Sequence, residues 1–136
     1  MGYSGRIMKQ YILSVNHTLQ MEKHFNLLAK YNPNAAILLK YLGHLLEPNS
    51  YNRVFCSIEQ MADFLDLTHD REATVMDCLH ILQDFDFIRL PKSDHFIGAL
   101  AINANYMYLC NMSDMTCADN YKLLPKWPCG DEDEEV

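Results

Sequence analysis

Residues 54–90 read VFCSIEQMADFLDLTHDREATVMDCLHILQDFDFIRL, and the spacing within this stretch decides the fold class. Val54, Phe55 and Cys56 form a short strand candidate. Ser57 then opens a helix, because Ser57 and Gln60 stand at capping-box spacing, each able to satisfy a free amide of the other. Ile58, Met61, Ala62, Phe64 and Leu65 supply its buried side, and it is expected to stop near Asp66 or Leu67. Thr68, His69 and Asp70 make a turn, with Thr68 or Asp70 as the cap of a helix over 71–84. Within that helix Val75, Leu79 and Leu82 recur at i, i+4 and i+7, which is core spacing. Phe87 to Leu90 read as a strand, Pro91 to Asp94 as a turn, and His95 to Ile102 as the return strand, so 87–102 is expected to be a β-hairpin.

Upstream, Asn32 is a good N-cap and Pro33 sits at the first helical position, where its missing N–H costs nothing. Apolar residues at 38, 42, 45 and 46 make a wide stripe, and Pro48 with Asn49 is expected to end the helix. Residues 49–53 are turn-like. Thr18 can cap an earlier helix running to about Lys30, with Leu19, Phe25 and Leu28 on its apolar side. The run Ile7 to Val15 reads as a strand or as a first helical turn. Three regions follow: an arm over 1–31 that either dimerises or covers the core, a domain over 32–110, and an extension over 111–136. The extension ends in the acid block DEDEE at 131–135, which has no core to join and is expected to be disordered. The order helix, short strand, helix, turn, helix, hairpin predicts an α+β chain, mainly α: a winged helix-turn-helix with an N-terminal helical arm and a C-terminal β-hairpin wing.

A chain of 136 residues suits one domain, and 49% hydrophobic against 21% charged residues excludes a disordered chain. No apolar run reaches the ~18 residues of a membrane span, and the first residues lack the apolar segment of a signal peptide, so the expected address is the cytoplasm. Of five cysteines, none are paired at C-x-x-C spacing, which favours free thiols, with Cys56 and Cys78 as small core residues. A zinc site on Cys110, Cys117, Cys129 and His95 is the sharper alternative. The net charge of −7 is unevenly spread. Residues 1–56 carry six cations against two acids, residues 57–110 three against nine, and residues 111–136 two against seven. Only the first third offers the positive charge that a phosphate surface needs.

The segments NPNAAILLKYL (32–42), VFCSIEQMADFLDL (54–67), ATVMDCLHIL (73–82), DFIRL (86–90) and INANYMYL (102–109) together resemble winged helix-turn-helix proteins of the plasmid replication RepL type. The matching features are Asn32-Pro33-Asn34, Ser57, Thr74-Val75 and Asn103-Ala104-Asn105-Tyr106, over residues 30–110. The resemblance implies a cytoplasmic, DNA-associated regulator of replication or transcription, from a mobile element or a bacterial relative. Three departures stand out. Asp66 replaces a Gly of the turn, the turn is about three residues longer, and Met76-Asp77 stands where the family places Ser-Arg.

The helix over 71–84 would face the major groove, Arg71 and Thr74 leading, with Arg89 and Lys92 placing the wing and Lys40 and Arg53 adding charge. Its own charge opposes this. Between 68 and 86, Arg71 stands against Asp70, Glu72, Asp77, Asp84 and Asp86. The rival expectation is therefore a protein-interaction module whose acidic helix (Glu72, Asp77, Asp84) docks on a basic replication or transcription protein, as an inhibitor or DNA mimic in one version. Partners expected from these readings are double-stranded DNA, a second copy of the chain, or a basic protein. His69 at the turn either touches phosphate or is simply solvated, and Cys78 with His80 is weak ground for a metal. Tyr106 and Tyr108 stack on a partner or pack against the first helix. Gly43 and Gly98 stand alone, outside any phosphate-binding loop, and no nucleophile, base and orienting group share a telling spacing. Neither enzyme activity, cofactor nor metal is expected.

Overall fold

A computed structural model describes residues 11–47, 52–91 and 98–111. The chain is α+β, with four helices and two small antiparallel sheets among these residues. In chain order the elements are β1 (Tyr11–Val15), α1 (Leu19–Tyr31), α2 (Pro33–His44), β2 (Arg53–Phe55), α3 (Ile58–Phe64), α4 (Arg71–Asp84), β3 (Ile88–Arg89), β4 (Ala99–Ile102) and β5 (Met107–Asn111).

The helix starts follow from their caps. The Thr18 hydroxyl accepts from the Met21 amide (3.3 Å) and opens α1. Asn32 both closes α1 and opens α2. Its backbone N–H donates to the Leu28 carbonyl (2.8 Å), while its side-chain oxygen accepts from the Ala35 amide (3.0 Å). One residue therefore turns the chain between two helices. Both halves of the expected capping box are present at α3, Ser57 Oγ accepting from the Gln60 amide (3.0 Å) and Gln60 Oε1 from the Ser57 amide (2.9 Å).

Helix ends depart more from expectation. α2 stops at His44, before Pro48, because the Leu45 and Leu46 amides turn to the Leu42 and Gly43 carbonyls in tighter i to i−3 bonds. α3 stops at Phe64, short of Asp66 or Leu67. There the Leu67 amide bonds the Ala62 carbonyl (3.1 Å) and the Asp66 amide the Asp63 carbonyl (3.1 Å), a Schellman motif with Asp66 in the left-handed position (φ 57°). α4 ends identically, with Phe87 bonded to Leu82 and Asp86 to Gln83, and Asp86 at φ 66°. The aspartates thus take the backbone conformation glycine usually supplies. At the start of α4, Asp70 holds the N-cap position but also has a positive φ (49°), and its side chain makes no cap bond. The expected capping by Asp70 is corrected accordingly: its backbone carbonyl starts the helix and its carboxylate does not.

β2, β4 and β3 form a three-stranded antiparallel sheet in the order β2-β4-β3. Arg53 pairs with Ala101, Val54 with Leu100, Phe55 with Ala99, Ile88 with Ile102, and Arg89 with Ala101. β2 has the expected three residues but lies one position before 54–56, β3 covers only the middle of the expected 87–90, and β4 takes the last four residues of the expected 95–102, of which 95–97 lie outside the described residues. β1 pairs with β5 in a second, two-stranded sheet, Tyr11 opposite Asn111 and Val15 opposite Met107. Of the two readings for 7–15, the strand is therefore the one observed over 11–15.

One core joins these parts. Leu28 of α1, Leu38, Leu39 and Leu42 of α2, Met61 and Ala62 of α3, Val75, Cys78, Leu79 and Leu82 of α4, and Ile88, Leu100, Ile102 and Met107 of the strands are buried in it. Val75, Leu79 and Leu82 point inward as expected. Rings extend the core toward α1: Phe25 stacks on Tyr106 and meets Phe87 edge-on, and His24 stacks on Phe87 while its Nε2 donates to the Phe85 carbonyl (2.7 Å). The segment 11–31 expected as an arm therefore packs into the same core through Leu13, Val15, Met21, Phe25 and Leu28.

Two asparagines hold the loops. Asn52, buried and at φ 63°, donates from Nδ2 to the Ile102 (2.7 Å) and Met107 (3.1 Å) carbonyls, tying the entry of β2 to β4 and β5. Asn103 donates to the Asp86 carbonyl (2.8 Å) and accepts from the Asn105 amide (2.8 Å). Gly43 has a packing reason: a Cβ there would collide with the sulfur of the buried Met107. The expected stop at Pro48-Asn49, the turn at 92–94, the first half of the return strand and the acidic extension lie outside the described residues.

Candidate nucleic-acid interface

The outward side of α4 is set by what its inward side buries. With Val75, Cys78, Leu79 and Leu82 in the core, Glu72, Ala73, Asp77, His80 and Asp84 are exposed and Thr74 is half-buried. His80 and Cys78 therefore face different ways. Burial, with Asp77 adding a smaller push, raises the Cys78 thiol to about 11, so it stays protonated and unreactive near neutral pH. Cys56 is also buried and raised by desolvation. Both fit small core residues. Among the described residues no three His, Cys, Asp or Glu side chains are placed to hold a metal ion; Cys117, Cys129 and His95 of the zinc alternative lie outside them.

Arg71 begins α4, but its guanidinium turns back toward α3. It donates to Glu59 Oε2 (2.6 Å), to Asp63 Oδ1 (2.5 Å) and to the Leu67 carbonyl (2.7 Å). The Asp63 and Glu59 hydrogen bonds push its pKa above the usual arginine value, so the cation is fixed in place with its charge matched by two carboxylates. The leading end of α4 thus presents little net positive charge.

The remaining cations expected at the interface separate into three places. Lys40 is exposed on α2, its ammonium 4.8 Å from the centre of the Phe25 ring on α1. Lys92 lies outside the described residues. Arg53 and Arg89 are brought together by strand register. Both pair with Ala101 of the central strand, one from each side. Directly opposed residues in an antiparallel pair point to the same face. Arg53, Ala101 and Arg89 therefore form a row, the two arginine Cα atoms two strand spacings, about 10 Å, apart. Val54, Leu100, Ile102 and Ile88 fill the inner face, which leaves this row on the outer one. Arg53 is exposed and Arg89 half-buried.

The same face carries a residue that sequence reasoning left unassigned. Phe55 follows Arg53 at the next outward position of β2, opposite Ala99, and is 71% exposed. The signal was present in the alternation around Val54, since a strand with Val54 inward must turn 53 and 55 outward. A strand placed at 54–56 hides that pattern.

Tyr106 is buried against Phe25 and Phe87, and burial, with Glu22 adding to it, pushes its phenol up to about 12. Of the two placements expected for it, Tyr106 takes the one packed against the first helix. A hollow of about 420 Å³ beside β1 is lined by Ser14, Asn16, Asn105, Tyr106 and Tyr108, neutral groups without an acid, base or thiol. No helix among the described residues is long and apolar enough to cross a membrane. No protein-family model matches this chain, and neither a curated protein nor a solved structure matches it.

Proposed function

We propose that this chain is a winged-helix protein that binds nucleic acid through the outer face of its sheet, and not through its outward helix. The order α2, β2, α3, turn, α4, β3, β4, with a sheet ordered β2-β4-β3, supports the winged-helix reading. The observation that carries the placement is the contrast between two arginines. Arg53 is exposed on the outer sheet face, whereas Arg71 is held by Glu59 and Asp63 beneath a helix that shows Glu72, Asp77 and Asp84 outward. Phosphates are bound where positive charge faces solvent. Control of replication or transcription in the cytoplasm, on a mobile element, is the role that the resemblance adds to this reading. Pairing of two copies through the exposed Leu27 and Tyr31 of α1 belongs to the same proposal.

The test is a salt titration of binding to random-sequence duplex DNA. The full chain binds at low salt, and affinity falls as salt rises. Arg53→Gln lowers the slope of log K against log salt by about 0.9, the loss of one phosphate contact. Absence of binding at low salt to both this duplex and a single-stranded oligonucleotide would remove the proposal.

A second reading rests on the acidic face of α4. Glu72, Asp77 and Asp84 are exposed, and they fit a basic protein surface. On that reading Asp77→Lys and Asp84→Lys abolish capture of a basic partner while leaving nucleic-acid binding through Arg53 intact.

A further inference from the structure

The geometry points to unpaired nucleic acid as the ligand of the outer sheet face, with a base stacked on Phe55 and its flanking phosphate on Arg53. This inference rests on the reading of that face as a nucleic-acid surface and deepens it by naming the strand state. Phe55 is 71% exposed, and its cross-strand partner is Ala99, followed on the same face by Ala101. Neither alanine extends beyond its Cβ. No bulky side chain of β4 therefore stands directly opposite the ring, although Ala101 itself is buried. Lone exposed aromatics are common on protein surfaces and signify little. This one lies two residues from Arg53 on the same strand face, with Arg89 in the same row as Arg53.

An aromatic ring with cations beside it matches a chain that alternates flat π-surfaces with phosphates. In a duplex the base faces are hidden in the stack and only their edges reach the grooves. A phenyl ring has no hydrogen bond to offer those edges. Against an unpaired strand it can stack, and stacking is tolerant of sequence because every base has a π-face. An acidic peptide would match the charge of Arg53 but leave the ring without a matching surface.

The test compares a fluorescein-labelled oligothymidine with a duplex of equal length, using the full chain and its Phe55→Leu and Arg53→Gln variants. Both positions are exposed, and an unchanged thermal midpoint verifies folding. The oligothymidine binds more tightly than the duplex. Phe55→Leu weakens oligothymidine binding by about 5- to 100-fold, the worth of one stacked base, and leaves duplex binding unchanged. Arg53→Gln weakens both. If Phe55→Leu leaves oligothymidine binding unchanged, the stacking site is wrong, while an Arg53-dependent affinity for duplex would keep the broader sheet-face reading. If poly-glutamate displaces the oligonucleotide and its own binding ignores Phe55→Leu, the face is an acidic-peptide site and the inference is overturned. No binding of either probe overturns both the inference and the reading beneath it.

Discussion

Asn52 ties β4 to β5 from the entry of β2. Its backbone sits in the left-handed region that asparagine tolerates and most residues do not, and its amide satisfies two carbonyls on two different strands. Asn52→Ala should lose about 2–4 kcal/mol in urea denaturation, combining left-handed strain with carbonyls stripped of their donor. Asn52→Gly removes the strain but not the loss of donors, and should fall less. Asp66 behaves in the opposite sense. It adopts φ 57° within a Schellman motif, at the position that glycine fills without strain. Asp66→Gly should therefore stabilise the protein by about 0.5–1 kcal/mol, seen as a higher urea midpoint. The role of Asn52 is not legible in the sequence. Asn52 lay in a segment read only as turn-like, and its partners are 50 and 55 residues away. Arg71 is expected to face the groove because it leads α4, but no local pattern announces that Glu59 and Asp63 of the preceding helix will reach it.

At the scale of elements, the legible parts were those written in local chemistry. Thr18, Asn32 with Pro33, and Ser57 with Gln60 open their helices as their side chains dictate. The i, i+4, i+7 spacing of Val75, Leu79 and Leu82 fixed the span and inward side of α4, Arg71–Asp84. What escaped was long-range. β1 meets β5 across nearly the whole chain, and nothing in Tyr11–Val15 names that partner. Gly43 likewise looked isolated, whereas it is where α2 admits Met107 of β5. Gly43→Ala should destabilise by about 1–3 kcal/mol, because a buried thioether with little room must move, and a urea titration would read it. The register Arg53–Ala101–Arg89 belongs to this class too. It emerges only once β2 and β3 are known to flank β4.

Over the whole molecule, two buried acids-to-be set an alkaline limit. Cys78 rises from 9.0 to about 11 and Tyr106 from 10.0 to about 12, both chiefly through burial. Each binds its proton more firmly when folded. The associated stability is fully present below pH 9, and falls as pH rises through 9–11 for Cys78 and 10–12 for Tyr106. Urea midpoints should decline between pH 9 and 11, with the Cys78 thiol unreactive toward a thiol reagent at pH 8 until the chain unfolds. A flat profile across that range would show these groups to be solvated.

The distribution of charge gives the molecule its direction. The positive first third contributes Arg53 to the sheet, while the acidic middle third places Glu72, Asp77 and Asp84 on the outer side of α4. The charge map made that conflict legible, but only the fold shows that Arg53 joins Arg89 and that Arg71 is internally matched. The decisive measurement is the salt dependence of nucleic-acid binding for Arg53→Gln beside Arg71→Gln, by fluorescence anisotropy. The account predicts that Arg53→Gln weakens binding and flattens the salt slope, while Arg71→Gln changes neither. Loss on Arg71→Gln with Arg53→Gln silent would move the contact to α4 and contradict it.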